Sequence, residues 1–581
     1  MQNNIDTAGG SIPQSNQVRL ANFLLLAAIF LLIAWPRWRI IAQSATADET
    51  KWVARAANFS TALREENLAN TYQSEHPGVT TMWAGALGLQ FFLPGTISQI
   101  PGQLAPYELD RFLLDQGYKP LQALVVGRRV MVLFNALALT LVFAYARRLL
   151  DWQTALLAAV FFALSPFFIA HTHLMHQDGL AGSLMILSLL AFLSYLHGWK
   201  WPDLLLSGIS AGLAWLTKIP AMSLAPILLI IALLLIWQKR QEDGDSDFGK
   251  VGFTLLAWGI IGCMTFTLLW PAMWVTPLHT LSHIFQEVVN YAGGGHADPI
   301  FFNGIIYNDG RIPAGVFSFY PLTYLWRSTP VVLIGLALVI PGLWKRWSPL
   351  DRRTGRQTIY ALLLYTLLFT VFMNLGDKKF DRYLIPIYPA LHLVSAAGWV
   401  AALRWIAGYG SPKTAGVSTQ EPGSLISSKT SEVWLLALLA LLAGWQLFSL
   451  WTVLPYPLSY YNPLMGGGEQ APQVMQIGWG EGLDEAGRYL NQKADSEALT
   501  VASWYRSVLA YHFNGHTISI NGTLTPEEEA AIQSADYAVL YIHQWQRDIP
   551  PGLLDQFASR VPEYTIEING LEYARIYDLR E

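Results

Sequence analysis

The sequence predicts a mainly α, polytopic membrane protein with a small α/β domain at its C-terminal end. Three observations predict it. The 581 residues are 53% hydrophobic and only 13% charged, about half the ~25% charged fraction of soluble domains. Mean hydropathy over the whole chain is +0.32. Apolar runs long enough to cross ~30 Å of hydrocarbon recur along the chain and cease near residue 455. Together these exclude a soluble multidomain enzyme, a fibrous repeat and a disordered chain. The net charge of −4, with no basic run, gives no support for a nucleic-acid partner. The one cysteine, Cys263, lies in an apolar stretch, which leaves no disulfide framework and no cysteine-based metal site.

Taken in order, residues 1–19 read as a cytoplasmic tail. Residues 20–35 form the first span, a retained anchor because no small-residue cleavage site follows. Further spans fall at 121–145, 154–170, 180–197, 204–216, 222–237 and 253–274. Four more, at 330–343, 359–373, 384–403 and 433–451, bring the total to about eleven, with 204–216 the least secure. Arg147, Arg148, Lys200, Lys239, Arg240, Lys345 and Arg346 share one side if the N-terminus is cytoplasmic, as the excess of basic residues on inner loops requires. Residues 37–120 and 276–327 are then outer loops. Residues 408–431 form a Ser/Gly/Pro-rich inner linker. The transmembrane domain is 20–454, and 455–581 is an extracytoplasmic α/β domain. In the latter, strands are expected at 500–504 and 536–543, and a helix at 482–494. A hairpin should join 563–568 to 571–578 through a type I′ turn at Asn569-Gly570.

Charges at lipid level are costly and are functional candidates by default. Here they gather on the outer side. Asp48-Glu49 precedes an amphipathic stretch that would hold the pair near headgroup level. A carboxylate there can act as general base for a hydroxyl or as a metal ligand. Arg128-Arg129 opens the second span, where an arginine can also simply snorkel to the interface. His171, His173 and His176 precede Asp178 at the mouth of a span, with a spacing that gives no clean metal-ligand pair. Lys218 and Lys378-Lys379-Phe380-Asp381-Arg382-Tyr383 stand on the same face. Exterior cations beside short loops run against the positive-inside bias, and at lipid level the obvious anion for them is a lipid phosphate.

These motifs, in this order and on one side, resemble the C superfamily of glycosyltransferases over residues 20–402. The likeness is nearest to the bacterial protein-mannosyltransferase and lipid A aminoarabinose-transferase branch. The resemblance implies an inverting transfer from a polyprenyl-phosphate-linked sugar to a hydroxyl or phosphate of a protein, lipid or glycan. It places the reaction on the outer face of the bacterial inner membrane, among membrane lipids. It implies Asp48 as general base and Glu49 as the residue that helps position the acceptor or its neighbouring cation. It makes Arg128 or Arg129, Lys218, Lys379, Arg382 and His76 the ligands of the donor phosphate, with Asp178 and Tyr383 orienting them. No cofactor is required, and the acids form no evident divalent-metal ligand set. His76 stands where relatives often carry Lys, so its contact would vary with pH near neutrality. Asp381 replaces a frequent Pro and would set an anion beside Arg382. The competing reading is a transporter or flippase. Against it, no paired repeat is apparent, and the charges sit at span ends rather than mid-span.

Overall fold

Each apolar run expected to span the membrane falls on helix in the computed structural model, which describes residues 16–74, 76–97, 99–243, 248–407 and 428–580. Most of the expected N-terminal tail and of the 408–431 linker lies outside the described residues, as does Glu75. Among the described residues, eight helices are long and apolar enough to cross a membrane, or ten if each of two bent pairs is one span. The run at 204–216 is the 17-residue helix Trp201–Thr217, about 25 Å long at 1.5 Å per residue. The chain is a multi-pass membrane protein.

The bends have local causes. Trp152–Leu164 and Pro166–His173 meet at 68°, because Pro166 has no N–H to continue the helical ladder. The exposed polarity is taken up inside the protein: the Gln446 amide donates to Ser165 Oγ (3.1 Å), which also lies 3.0 Å from His392 Nε2. The stretch Asp381–Ile387 is 3-10 and contains Pro386. Tyr365 OH donates to the Pro386 carbonyl (3.0 Å), so the irregular backbone is satisfied at membrane depth. Helix Gln177–Gly198 packs directly on it. A Cβ on Gly182 would stand 2.9 Å from Pro386 Cα, so only glycine lets the two segments approach this closely. That approach brings the first turn of Gln177–Gly198, with Asp178, beside Arg382.

The segment 276–327 contains a hairpin not expected from the sequence. β1 (Ile300–Phe302) pairs antiparallel with β2 (Ile305–Tyr307). Asn303 and Gly304 between them both have positive φ, as a type I′ turn demands. Beyond Pro455, β3 (Thr500–Ser503), β4 (His516–Ser519), β5 (Tyr537–Tyr541), β6 (Tyr564–Ile568) and β7 (Leu571–Asp578) form one sheet in the order β4-β3-β5-β7-β6. β3 runs parallel to β4 and β5, and β7 antiparallel to β5 and β6. The turn at Asn569-Gly570 has φ of +55° and +76°, the expected type I′ geometry. The helix expected at 482–494 is shorter, Leu483–Leu490, and the four-residue β4 is the strand the sequence did not signal.

The sheet region sits on the helical part through the loop around Trp479. Ser44 Oγ donates to the Gly480 carbonyl (2.7 Å), and Ala47 N donates to the Trp479 carbonyl (3.3 Å). Gly480 has φ +126°, and a Cβ there would lie 2.6 Å from the Ala45 carbonyl. Glycine is what allows this loop to close over the segment leading to Asp48.

Candidate active site

Asp48 precedes helix Glu49–Arg64 at its N-cap. Its carboxylate meets two groups from distant parts of the chain. Arg382 Nη2 lies 3.3 Å from Asp48 Oδ2, and His176 Nε2 lies 3.7 Å from the same oxygen. The other nitrogen of His176, Nδ1, is 3.2 Å from Asp178 Oδ2, and Arg382 Nε is 3.7 Å from that oxygen. Asp178 in turn pairs with Lys218, whose ammonium stands 4.3 Å above the Tyr383 ring. The result is a chain of alternating charges, Asp48–Arg382–Asp178–Lys218, with His176 bridging the two acids. Exposure separates the acids: the Asp48 side chain is 30% exposed and that of Asp178 is 1%. Only Asp48 is open to a reactant. Burial alone would push its carboxyl up, but Arg382, His176 and Lys51 hold it below the usual carboxylate range.

Asp48 and Arg382 border a cavity of about 230 Å³. Its other walls come from Phe167 and His171, from the β1 hairpin, and from Trp479, Trp504 and Arg547 of the sheet region. Arg382 is clamped between rings, its guanidinium carbon 4.3 Å from both the Phe380 and the Trp479 centroids. Its buried Nε points toward Asp178 at 3.7 Å without a hydrogen bond, and the one side-chain hydrogen bond shown for its guanidinium among the described residues is that of Nη2 to Asp48.

Asp48, Asp178, Lys218, Arg382 and Tyr383 are thus brought together. His76 lies near them, and here the expected pH dependence fails. Burial, with Lys218, Lys378 and Arg55 nearby, pushes its imidazole down to about 4, so it is neutral near pH 7 and cannot serve as a titrating cation there.

Four residues are not placed as the motifs suggested. Glu49 is fully buried, and its carboxylate is consumed by Arg128, whose Nε and Nη2 donate to it at 2.7 and 2.5 Å. It also accepts from Met175 N (2.7 Å) and Thr46 N (3.0 Å). Arg128 spends its remaining donors on the carbonyls of Ile41, Gln43 and Ser44. This pair anchors the segment before Asp48 and borders no part of the cavity. Removing one partner of a buried pair strands the other charge at a cost of about 3–5 kcal/mol. Glu49→Ala and Arg128→Ala are therefore expected to lose folded protein in thermal unfolding. A Glu49→Ala protein with the wild-type melting point and no turnover would return Glu49 to the chemistry. Arg129 is also outside the cavity. Its guanidinium lies 5.0 Å from the Phe92 ring and 6.0 Å from that of Trp38.

Lys379 borders the cavity, but its ammonium is buried and donates to the carbonyls of Ile312, Pro313, Asn374 and Gly376 at 2.7–3.3 Å. The half-buried neighbour Lys378 stands within electrostatic reach of Arg382 and Asp48. Burial and the Arg382 charge push its ammonium pKa down, while Asp48 and Glu287 oppose that. Lys378→Met should weaken binding of an anionic substrate, whereas Lys379→Met should lower the melting temperature. Equal effects of the two on substrate KM would overturn this division. Asp381 is shared: Arg327 Nε donates to one of its oxygens (2.8 Å) and the Arg382 backbone N–H to the other (2.7 Å), so an anion does stand beside Arg382.

Lys51 and Trp479 are not singled out in the sequence, and His176 is weighed there only as a metal ligand. Lys51 stands three residues after Asp48, a same-face spacing that could have exposed it. The run Gly478-Trp479-Gly480-Glu481-Gly482 marks a special loop by its glycines alone. Among the described residues no group of three or more His, Cys, Asp or Glu is placed to hold a metal ion.

Residues 122–270, about a quarter of the chain, match the family model described as dolichyl-phosphate-mannose-protein mannosyltransferase. This segment is similar to that family. The match agrees with the resemblance drawn from the polar motifs, and the segment holds His176, Asp178 and Lys218 of the site. No curated protein matches the chain. Among solved structures it is similar to ArnT from Cupriavidus metallidurans bound to undecaprenyl phosphate. There the identity is 14%, the TM-score 0.46, and 96% of this chain and 98% of that chain are covered. It is also similar to the oligosaccharyltransferase AglB from Archaeoglobus fulgidus in complex with an inhibitory peptide and a dolichol-phosphate. In that case identity is 13%, TM-score 0.46, and coverage 95% and 74%. Likeness at this level leaves the function to the site itself.

Proposed function

We propose that this protein transfers a sugar, with inversion, from a polyprenyl-phosphate donor to a hydroxyl or phosphate acceptor on the outer face of the membrane. The observation that carries the reading is the Asp48 carboxylate, ionised and partly open, next to the Arg382 guanidinium. Asp48 takes the acceptor proton as the acceptor oxygen attacks the anomeric carbon. The sugar–phosphate bond breaks as the new bond forms, and its electrons pass to the leaving phosphate. Arg382, Lys218 and Lys378 meet the charge that develops there. Preorganised donors at such a position typically lower a barrier by ~3–4 kcal/mol each. Asp178 and His176 hold Arg382 and Lys218 in place. The cluster lies at the ends of spans, where a lipid-tailed phosphate resides at headgroup level.

Incubating the purified protein with radiolabelled polyprenyl-phosphate sugars and lipid, peptide or glycan acceptors tests this directly. Label should leave the donor for an acceptor, and a protein that leaves every donor intact contradicts the reading. EDTA should leave the rate within about twofold, since the cations already supply the charge that a metal would. Complete loss restored by Mg²⁺ or Mn²⁺ would make Asp48 a metal ligand.

A further inference from the structure

We propose that one pyranose ring occupies the cavity above Asp48 and that His171 hydrogen-bonds one of its hydroxyls. This rests on the glycosyl-transfer reading and assigns a sugar-recognising residue to it. His171 borders the cavity and is 2% exposed. Both of its ring nitrogens are buried without a hydrogen-bond partner among the described residues. The rings around it cannot satisfy them: Phe167 stands edge-on at 4.6 Å and Trp479 lies at 5.9 Å. Buried polar atoms are rarely left unpaired, and a site that keeps one open commonly holds it for a ligand. A neutral imidazole offers one donor and one acceptor, and a hydroxyl offers the same complement.

The rest of the cavity favours a sugar over a second phosphate at this wall. The guanidinium there, Arg327, is engaged by Asp381 and by the carbonyls of Leu458 and Tyr460. Trp479, Trp504 and Phe319 line the cavity together with Asp298 and Glu481. Flat rings that take the C–H face of a sugar, with acids that accept from its hydroxyls, are the chemistry of carbohydrate binding. The volume of about 230 Å³ is below the ~300–1,000 Å³ of drug-sized pockets and suits one ring. Both the transferred sugar and a glycan acceptor would offer that ring.

Thermal shifts of the full-length protein in detergent distinguish these. The probes are sugar-free undecaprenyl phosphate, undecaprenyl phosphate carrying mannose, glucose, galactose or arabinose, and free methyl hexosides. In the wild type, at least one sugar-bearing lipid should add to the shift given by the sugar-free lipid. If the ring belongs to the acceptor, a methyl hexoside should shift the protein instead. His171→Phe should erase the sugar's contribution and keep the shift from sugar-free lipid, while His171→Gln should restore part of it. Within the wild type, one monodeoxy sugar should lose the contribution at least tenfold in affinity, which keeps the test valid if a variant does not fold. The proposal is overturned if no sugar adds to the shift, if His171→Phe keeps the sugar's contribution, or if every monodeoxy sugar binds like its parent. Absence of a shift with sugar-free lipid, alongside a methyl-hexoside shift that His171→Phe abolishes, would reject the lipid donor and retain the sugar pocket.

Discussion

Asp48→Asn is expected to lower turnover by 10²–10⁴-fold, the usual contribution of a general base, while the protein folds normally and still binds the donor. The substitution keeps shape and hydrogen-bonding capacity but cannot take a proton. Binding should survive because the phosphate contacts proposed for Arg382, Lys218 and Lys378 are kept, and because the Glu49–Arg128 pair fixes the backbone independently of Asp48. The pH profile gives a second reading. The group is held below the ordinary carboxylate range by Arg382, His176 and Lys51 despite partial burial. It therefore stays ionised as pH falls from 7, and the acid limb of kcat/KM should lie below the ordinary aspartate value of ~3.9. Turnover near wild type in Asp48→Asn, or an acid limb centred near 6, would place the base elsewhere.

Arg382→Lys is expected to cost tenfold or more in kcat, about 1.4 kcal/mol, although the charge is kept. A guanidinium meets two anions at once through a planar fork that an ammonium cannot reproduce. Arg382 already uses this property: Nη2 meets Asp48 while Nε points toward Asp178. A lysine would reach one of the three partners, Asp48, Asp178 or the leaving phosphate. Arg382→Ala should cost more and should also weaken donor binding, since Phe380 and Trp479 would close on the space left by the guanidinium. A snorkelling arginine, or one lining a transport path, gives the opposite result: lysine substitutes freely, and alanine costs stability alone. Equal turnover of wild type and Arg382→Lys would remove this residue from the site.

Much of the fold was legible because its causes are local. Spans announce themselves by length and hydropathy, since a helix in lipid must satisfy its own backbone. Asn569-Gly570 announces a hairpin because few other residues adopt two consecutive positive φ angles. The same signal at Asn303-Gly304 was there to be read. The helix bends were less legible. Pro166 marks a break, but the angle depends on what receives the freed polar groups, here Gln446 and His392 from later spans.

By itself, then, the sequence determined the membrane class, the sheet-bearing C-terminal region and the gathering of charge at Asp48, Asp178, Lys218 and Arg382. Composition and spacing are sufficient for those. Only the tertiary structure decided which members of the adjacent pairs border the cavity: Asp48 and not Glu49, neither Arg128 nor Arg129, and Lys379 with its ammonium spent on backbone carbonyls. Neighbouring residues point in directions ~100° apart on a helix and opposite on an extended strand. Which direction becomes cavity and which becomes core depends on the segments that dock there. Met175 and the 41–44 loop close around Arg128 and Glu49, and the Ile312–Pro313 carbonyls close around Lys379. The sheet region supplies Trp479 to the face that stays open. Those partners lie more than 60 residues away in sequence in most cases, and no local pattern encodes their arrival.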